Sequence, residues 1–304
     1  MGKRSVNYAV IDAFTDAPFK GNPAAVCFLE KHDYGYDDEW MQSVAKEFNI
    51  SETAFLTPAP HHFSSHEDDG EDADSNPRFN LRWFTPVAEV KLCGHGTIAA
   101  AHFIFTSGTV KGDVIEFVTK SGILTAKKIC RLKHSGDDAQ DGFSIELDFP
   151  VITFGECEPK EIPSIPTTLN GLSMISVQKT STAGDLIVEL SSGEDVVNIQ
   201  PNFDEIQKCA GMGLIITAPA PPGSGFDFFS RFFCPKLGIN EDPVCGSAHC
   251  ALAPYWSKKL GKHSLIAFMA SPRGGRLELE LVEEAQRVHI KGKAVTVMVG
   301  TLLA

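Results

Sequence analysis

The chain has 304 residues, 43% of them hydrophobic and 22% charged. That length predicts two domains, and that composition supplies enough apolar material for their cores to exclude a wholly disordered chain. Thirty-nine acidic residues against 27 basic ones leave a net charge of −12, which repels phosphate backbones and argues against nucleic-acid partners.

In chain order, no apolar run approaches the roughly 20 residues of a membrane helix, so no membrane partner is expected. Residues 1–10 carry no apolar h-region, so a signal peptide is not expected. The eight cysteines (Cys27, Cys93, Cys130, Cys157, Cys209, Cys234, Cys245 and Cys250) then read as free thiols of a reducing compartment, and a cytoplasmic location is expected. Residues 7–14 read as a strand, Gly21-Asn22-Pro23 as a turn and Ala24–Leu29 as a second strand. Asp37-Asp38-Glu39 opens a helix that ends near Asn49, with Trp40, Met41, Val44, Ala45 and Phe48 on one face. Ser51–Leu56 returns to strand. Residues 58–77 hold His61, His62 and His66 among acids and serines and read as a solvated loop. Strand character resumes over 79–92, broken by Thr85-Pro86. Short β-branched runs follow at Val114–Val118 and Phe143–Phe149, and a short helix is expected near Phe203–Gln207. Leu214–Thr217 reads as a buried strand and Phe226–Phe233 as another. The tail 276–304 reads as three strands. Many short strands with few helices favour α+β, barrel-like sheets over a Rossmann series.

Two segments resemble each other: Cys93-Gly94-His95-Gly96-Thr97 with the alanines after it, and Cys245-Gly246-Ser247-Ala248 with its own Ala-rich continuation. They lie half a chain apart, the signature of an internal repeat. Small residues at a helix start let a ligand approach the free amides, and the positive end of the helix dipole favours a carboxylate or phosphate. A thiol there is expected to have a lowered pKa and to serve as a proton-transfer base. Two opposed thiols can take a proton from one face of a carbon and return it to the other. Glu52, flanked by apolar residues, reads either as a desolvated acid/base or as an edge-strand carboxylate facing water. Asp242 reads either as a cap of the second helix or as a substrate-orienting group.

Four ordered motifs carry a wider resemblance. They are Ile11–Phe14 with Gly21–Val26, Asn49–Phe55, Phe84–His95, and Glu241–Ala248. With them the chain resembles the phenazine-biosynthesis PhzF-like isomerase family, which shares the diaminopimelate epimerase fold. The resemblance implies two pseudo-symmetric domains, each a curved sheet around a central helix, with the active site at their seam. The expected boundaries are 1–128, completed by the strand 295–304, and 129–294. It also implies no metal, no organic cofactor, a small carboxylate-bearing substrate and a homodimer. By it, Glu52 is the general acid/base, His95 and Asp242 bind and polarise the substrate, and Gly94, Gly246 and Ser247 belong to the binding helix starts. One departure stands out. Cys245 replaces the threonine common in the family, so Cys93 and Cys245 occupy both positions where the related epimerases and racemases place a catalytic cysteine pair. The first expectation is a Glu-centred isomerase. A two-thiol racemase or epimerase and a non-catalytic carboxylate-binding protein are the alternatives, and a neutral exchange of Thr for Cys245 is the bland reading of that thiol. A zinc site at Cys245, His249 and Cys250, with Cys93 and His95 as nearby candidates, is disfavoured because the first three fall on an expected helix among small residues and no second clean cysteine pair accompanies them.

Overall fold

A computed structural model describes residues 5–30, 36–59, 76–130, 142–157 and 166–303. Most of the acidic stretch 58–77, with His61, His62 and His66, lies outside the described residues.

The chain divides into two compact units. The first comprises residues 1–18, 23–148 and 293–304, and the second residues 19–22 and 149–292. The break falls after Asp148, later than the expected 128, because strand β8 (Phe143–Pro150) pairs with β7 (Gly122–Cys130) and stays with the first sheet. Residues 19–22 belong to the second unit although the strands on either side belong to the first.

In the first unit β1 (Ser5–Ala13) is flanked by the last strand of the chain, β18 (Ala294–Leu303), and by β2 (Asn22–Phe28). β3 (Glu52–Pro58) runs parallel to β2, β4 (Arg78–Phe84) antiparallel to β3, and β6 (Val114–Thr119) parallel to β4. β7 and β8 then follow as antiparallel neighbours, and the short β5 (Glu89–Val90) caps the end of β4. Helix α1 (Asp38–Phe48) lies on one face. Asp37 caps its first turn by accepting from the Trp40 amide, and Asn49 ends it in the left-handed region at φ 48°. Met41, Val44 and Ala45 bury the predicted apolar stripe against Val6, Leu29, Phe55 and Phe84. The other face wraps helix α2 (Gly94–Ser107), which is buried nearly all round and packs against β1, β3, β7 and β18. Its run of Ala99, Ala100 and Ala101 lets strands from both ends of the sheet close on one helix, so the sheet curls.

The second unit repeats this plan. Its strands are β9 (Phe154–Glu156), β10 (Ser176–Thr180), β11 (Leu186–Glu189), β12 (Leu214–Pro219), β13 (Phe228–Cys234), β14 (Ile239–Asp242), β15 (Ser264–Met269), β16 (Gly275–Val282) and β17 (Arg287–Gly292). From β9 to β17 the neighbours run antiparallel, antiparallel, parallel, antiparallel, parallel, antiparallel, antiparallel, with β14 as the short cap on β13. From β2 to β8 the first unit has the same series as β11 to β17. Short helices α3 (Pro166–Leu169), α4 (Gly193–Asn198) and α5 (Phe203–Ile206) stand where α1 stands, over a core that includes Val196, Ile206, Leu214 and Phe233. Helix α6 (Gly246–Leu260) is the counterpart of α2. It contacts β15, β16 and β17, and Trp256 Nε1 donates to Thr217 Oγ1 of β12 at 3.0 Å. Pro254 inside α6 leaves the Cys250 carbonyl without its helical donor, and the Ile152 amide fills that place at 3.0 Å. Each unit is thus α+β, a curved sheet around one central helix, and both Cys-Gly segments open those helices.

Candidate active site

Cys93 is the N-cap of α2. It is extended at φ −145°, and its Sγ accepts from the Gly96 amide at 3.3 Å. Thr97 returns both its amide and its hydroxyl to the Cys93 carbonyl, at 3.1 and 2.5 Å, which locks the first turn. Gly94 and His95 are buried in that turn. His95 Nδ1 lies 3.5 Å from Cys93 Sγ. Burial pulls the imidazole down to a pKa of about 3, so it is neutral at physiological pH. Glu52 begins β3, an interior strand between β2 and β4, and is only 4% exposed. The alternative of an edge carboxylate facing water is therefore overturned. Ligand atoms of Glu52, Cys93 and His95 lie within 4.8 Å of one another. Strand β3 and the α2 start, far apart in sequence, thus deliver a carboxylate, a thiol and a neutral imidazole to one buried spot.

The second helix start is built differently. Asp242 closes β14, which is tied to β13 by a two-pronged ion pair. Arg231 Nε and Nη2 reach the Glu241 carboxylate at 2.7 and 2.9 Å, while Arg231 Nη1 donates to the Ile199 carbonyl at 2.7 Å. Asn22 Nδ2 donates to Asp242 Oδ1 at 2.6 Å and to the Val244 carbonyl at 3.0 Å, and the Val244 amide donates to the same Oδ1 at 3.2 Å. Desolvation nevertheless pushes the Asp242 carboxyl up to a pKa of about 6. Asn22 is placed by Gly21, whose φ of 62° puts the turn in the left-handed region and whose amide meets the Gly274 carbonyl at 2.8 Å. Pro23 then holds Asn22 extended.

Cys245 precedes α6, buried, with Sγ 3.3 Å from Ser247 Oγ. The expectation of a lowered thiol pKa fails here. Burial first, and the neighbouring Asp242 carboxylate second, raise the Cys245 thiol well above its ordinary value. The helix dipole is worth too little to outweigh the loss of water around a thiolate. Gly246 and Ser247 occupy the first turn, whose amides have no acceptor within the helix. His249 Nδ1 lies 2.7 Å from the Cys245 carbonyl and its ring stacks on Phe228, so it does for α6 what Thr97 does for α2. Cys250 Sγ faces the Gly246 carbonyl at 3.9 Å. The disfavoured zinc reading of Cys245, His249 and Cys250 finds no shared focus, because His249 and Cys250 turn to separate backbone carbonyls. Sequence reasoning missed Asn22 and His249 as site-building residues. Asn22 stood within a quoted motif, but nothing in its spacing connected it to Asp242.

The candidate residues therefore fall into two sets, Glu52, Cys93, Gly94 and His95 in the first unit and Asp242, Cys245, Gly246 and Ser247 in the second. A separate cavity of about 510 Å³, lined by Tyr36, Met41, Phe55, Arg82 and Lys120 among others, contains none of them. No described helix is long and apolar enough to cross a membrane.

A curved sheet on a central helix, made twice with matching strand order, defines the diaminopimelate epimerase-like fold. A hydroxyproline epimerase from Agrobacterium vitis shares that fold at a TM-score of 0.56, 12% identity and 99% and 93% coverage of the two chains. A much closer match is the crystal structure of a PhzF-family phenazine biosynthesis protein from Enterococcus faecalis, at a TM-score of 0.80 and 36% identity over 99% of this chain and 100% of that one. An uncharacterized isomerase of Halalkalibacterium halodurans is 42% identical over 296 residues, 97% of each chain. The model of the family described as phenazine biosynthesis-like protein matches residues 11–300. The chain belongs to that family.

Proposed function

We propose that the chain is an isomerase that moves a proton on a small carboxylate-bearing substrate, with Glu52 as the general acid/base. The observation that carries this reading is the burial of Glu52 beside Cys93 and His95 at the start of α2. As carboxylate, Glu52 accepts a proton from a substrate carbon. As carboxylic acid, it returns a proton at another position, so the enzyme ends unchanged. His95, neutral, orients the substrate through a hydrogen bond and stabilises charge that develops on it. In the second unit, the first-turn amides at Gly246 and Ser247 suit a carboxylate, and Asp242, steadied by Asn22, suits a polar group. Naming of relatives as isomerases supports the class. The two-thiol alternative is weakened at Cys245, whose surroundings favour the protonated thiol over the thiolate that such a mechanism needs.

The test is solvent proton exchange followed by NMR in heavy water, with a panel of small amino and hydroxy acids. Wild type, Glu52→Gln and Cys93→Ser are run side by side. Exchange lost in Glu52→Gln and retained in Cys93→Ser is the expected result. Exchange lost only in Cys93→Ser transfers the chemistry to the thiols. A ligand held without exchange by the wild type makes this a carboxylate-binding protein.

A further inference from the structure

We propose that Glu52, Cys93 and His95 also form a binding site for one thiophilic divalent cation, such as zinc, and that the occupied site is closed to proton transfer. The second half of this statement rests on the assignment of Glu52 as the acid/base; the first half does not.

Carboxylate, thiolate and imidazole together are a zinc-type ligand set. Bonds of about 2.3 Å to sulfur and about 2.1 Å to nitrogen or oxygen, at tetrahedral angles, separate the ligand atoms by about 3.5 Å. Cys93 Sγ and His95 Nδ1 already stand 3.5 Å apart. A carboxylate oxygen of Glu52 lies within 4.8 Å of Cys93 Sγ and of a ring nitrogen of His95, so side-chain rotation through roughly 1 Å completes three ligands at the bond lengths zinc requires. Charge closes as well. A carboxylate and a thiolate balance a divalent ion, so the filled site is neutral in surroundings where an unbalanced ion is expensive. The Gly96 amide donates to Cys93 Sγ at 3.3 Å, an outer contact of the kind that steadies a metal-bound thiolate. Independently, His95 Nε2 is a buried nitrogen with no hydrogen-bond partner among the described residues, so one nitrogen of the ring is not engaged by the fold. Among the described residues no fourth histidine, cysteine or carboxylate joins the group, a three-ligand set of the kind found in sites that exchange their fourth ligand. Binding replaces the thiol proton by the metal and releases that proton to solvent. Once ligated, the Glu52 oxygen lone pair is engaged, and the carboxylate no longer accepts a proton from carbon.

The experiment uses chelator-stripped full-length protein titrated with cobalt(II), then with zinc. One cobalt per chain is expected, with a thiolate-to-cobalt charge-transfer band and the visible bands of a four-coordinate ion, both erased by zinc. Cys93→Ser loses the charge-transfer band, and Glu52→Gln weakens affinity by at least about tenfold. In wild type, zinc also protects Cys93 from alkylation, read by peptide mapping, which needs no variant to fold. Absence of the band, or a band undiminished in Cys93→Ser of native circular dichroism, overturns the site. Zinc at full occupancy with unchanged proton exchange overturns the blockade. The spectra need no turnover, so failure of the metal site and failure of the isomerase assignment are read separately.

Discussion

Acidification from pH 7.5 to pH 5 is expected to loosen the first unit and spare the second. In the first unit burial lowers the pKa of His95 to about 3 and of His102 to about 4. A group whose folded pKa is depressed contributes stability above its unfolded pKa and loses it as pH falls. The unfolded histidine, at about 6.5, binds a proton at pH 5 that the folded one refuses, at about 1.4 kcal/mol per pH unit. That is about 2 kcal/mol at His95 and less at the partly exposed His102, or about 3 kcal/mol for the unit. In the second unit His249, lowered to about 4, loses a similar 2 kcal/mol. There Asp242 and Asp185 act in the opposite sense. Both are raised to about 6 by desolvation, so the folded state binds protons more readily than the unfolded and gains roughly 1 kcal/mol at each by pH 5. The second unit comes out within about 1 kcal/mol of its starting stability. Asp38, Glu89 and Glu205, whose carboxyls are held low, lose their contributions only at lower pH still. Hydrogen–deuterium exchange, corrected for the pH dependence of intrinsic exchange, reads both units in one sample. Peptides from α2 and β1 are expected to lose about two orders of magnitude of protection, and peptides from α6 and β12 much less. His95→Asn removes most of the difference. Equal loss in both units, or greater loss in the second, refutes the reasoning.

Glu52→Gln is expected to lower exchange by 10²–10⁴-fold, the usual range for removing a general acid/base, with an unchanged circular dichroism spectrum. Cys245→Ser should keep most of its exchange, because the thiol it replaces is protonated; steady-state rates decide this. Asn22→Ala removes a donor to the Asp242 carboxylate, so the Asp242 pKa rises above about 6 and the acid limb of the pH–rate profile moves to higher pH. Glu241→Ala strands the buried Arg231 guanidinium and is expected to cost about 3 kcal/mol in urea unfolding.

Local patterns carried much of this protein in its sequence. The acidic turn, the apolar stripe Met41-Val44-Ala45 and Asn49 are sufficient for α1, because caps and periodicity act within a few residues. The two Cys-Gly segments announced both the duplication and the two central helices, since small residues followed by alanines suit a helix enclosed by a sheet. Burial, partnership and charge state were decided only by the tertiary structure. Glu52 looked the same on paper whether β3 was an edge or an interior strand, and pairing with both β2 and β4 made it buried. Asn22 meets Asp242 because a turn near the N-terminus joins the second unit, a contact no local pattern encodes. Cys93 and Cys245 share a motif, yet their surroundings differ. Both are buried beside a carboxyl group, but one thiol receives the Gly96 amide and meets a neutral histidine, while the other meets the Ser247 hydroxyl and the Asp242 carboxylate. A pKa is set by everything within several ångströms, and those neighbours are assembled by folding from distant parts of the chain.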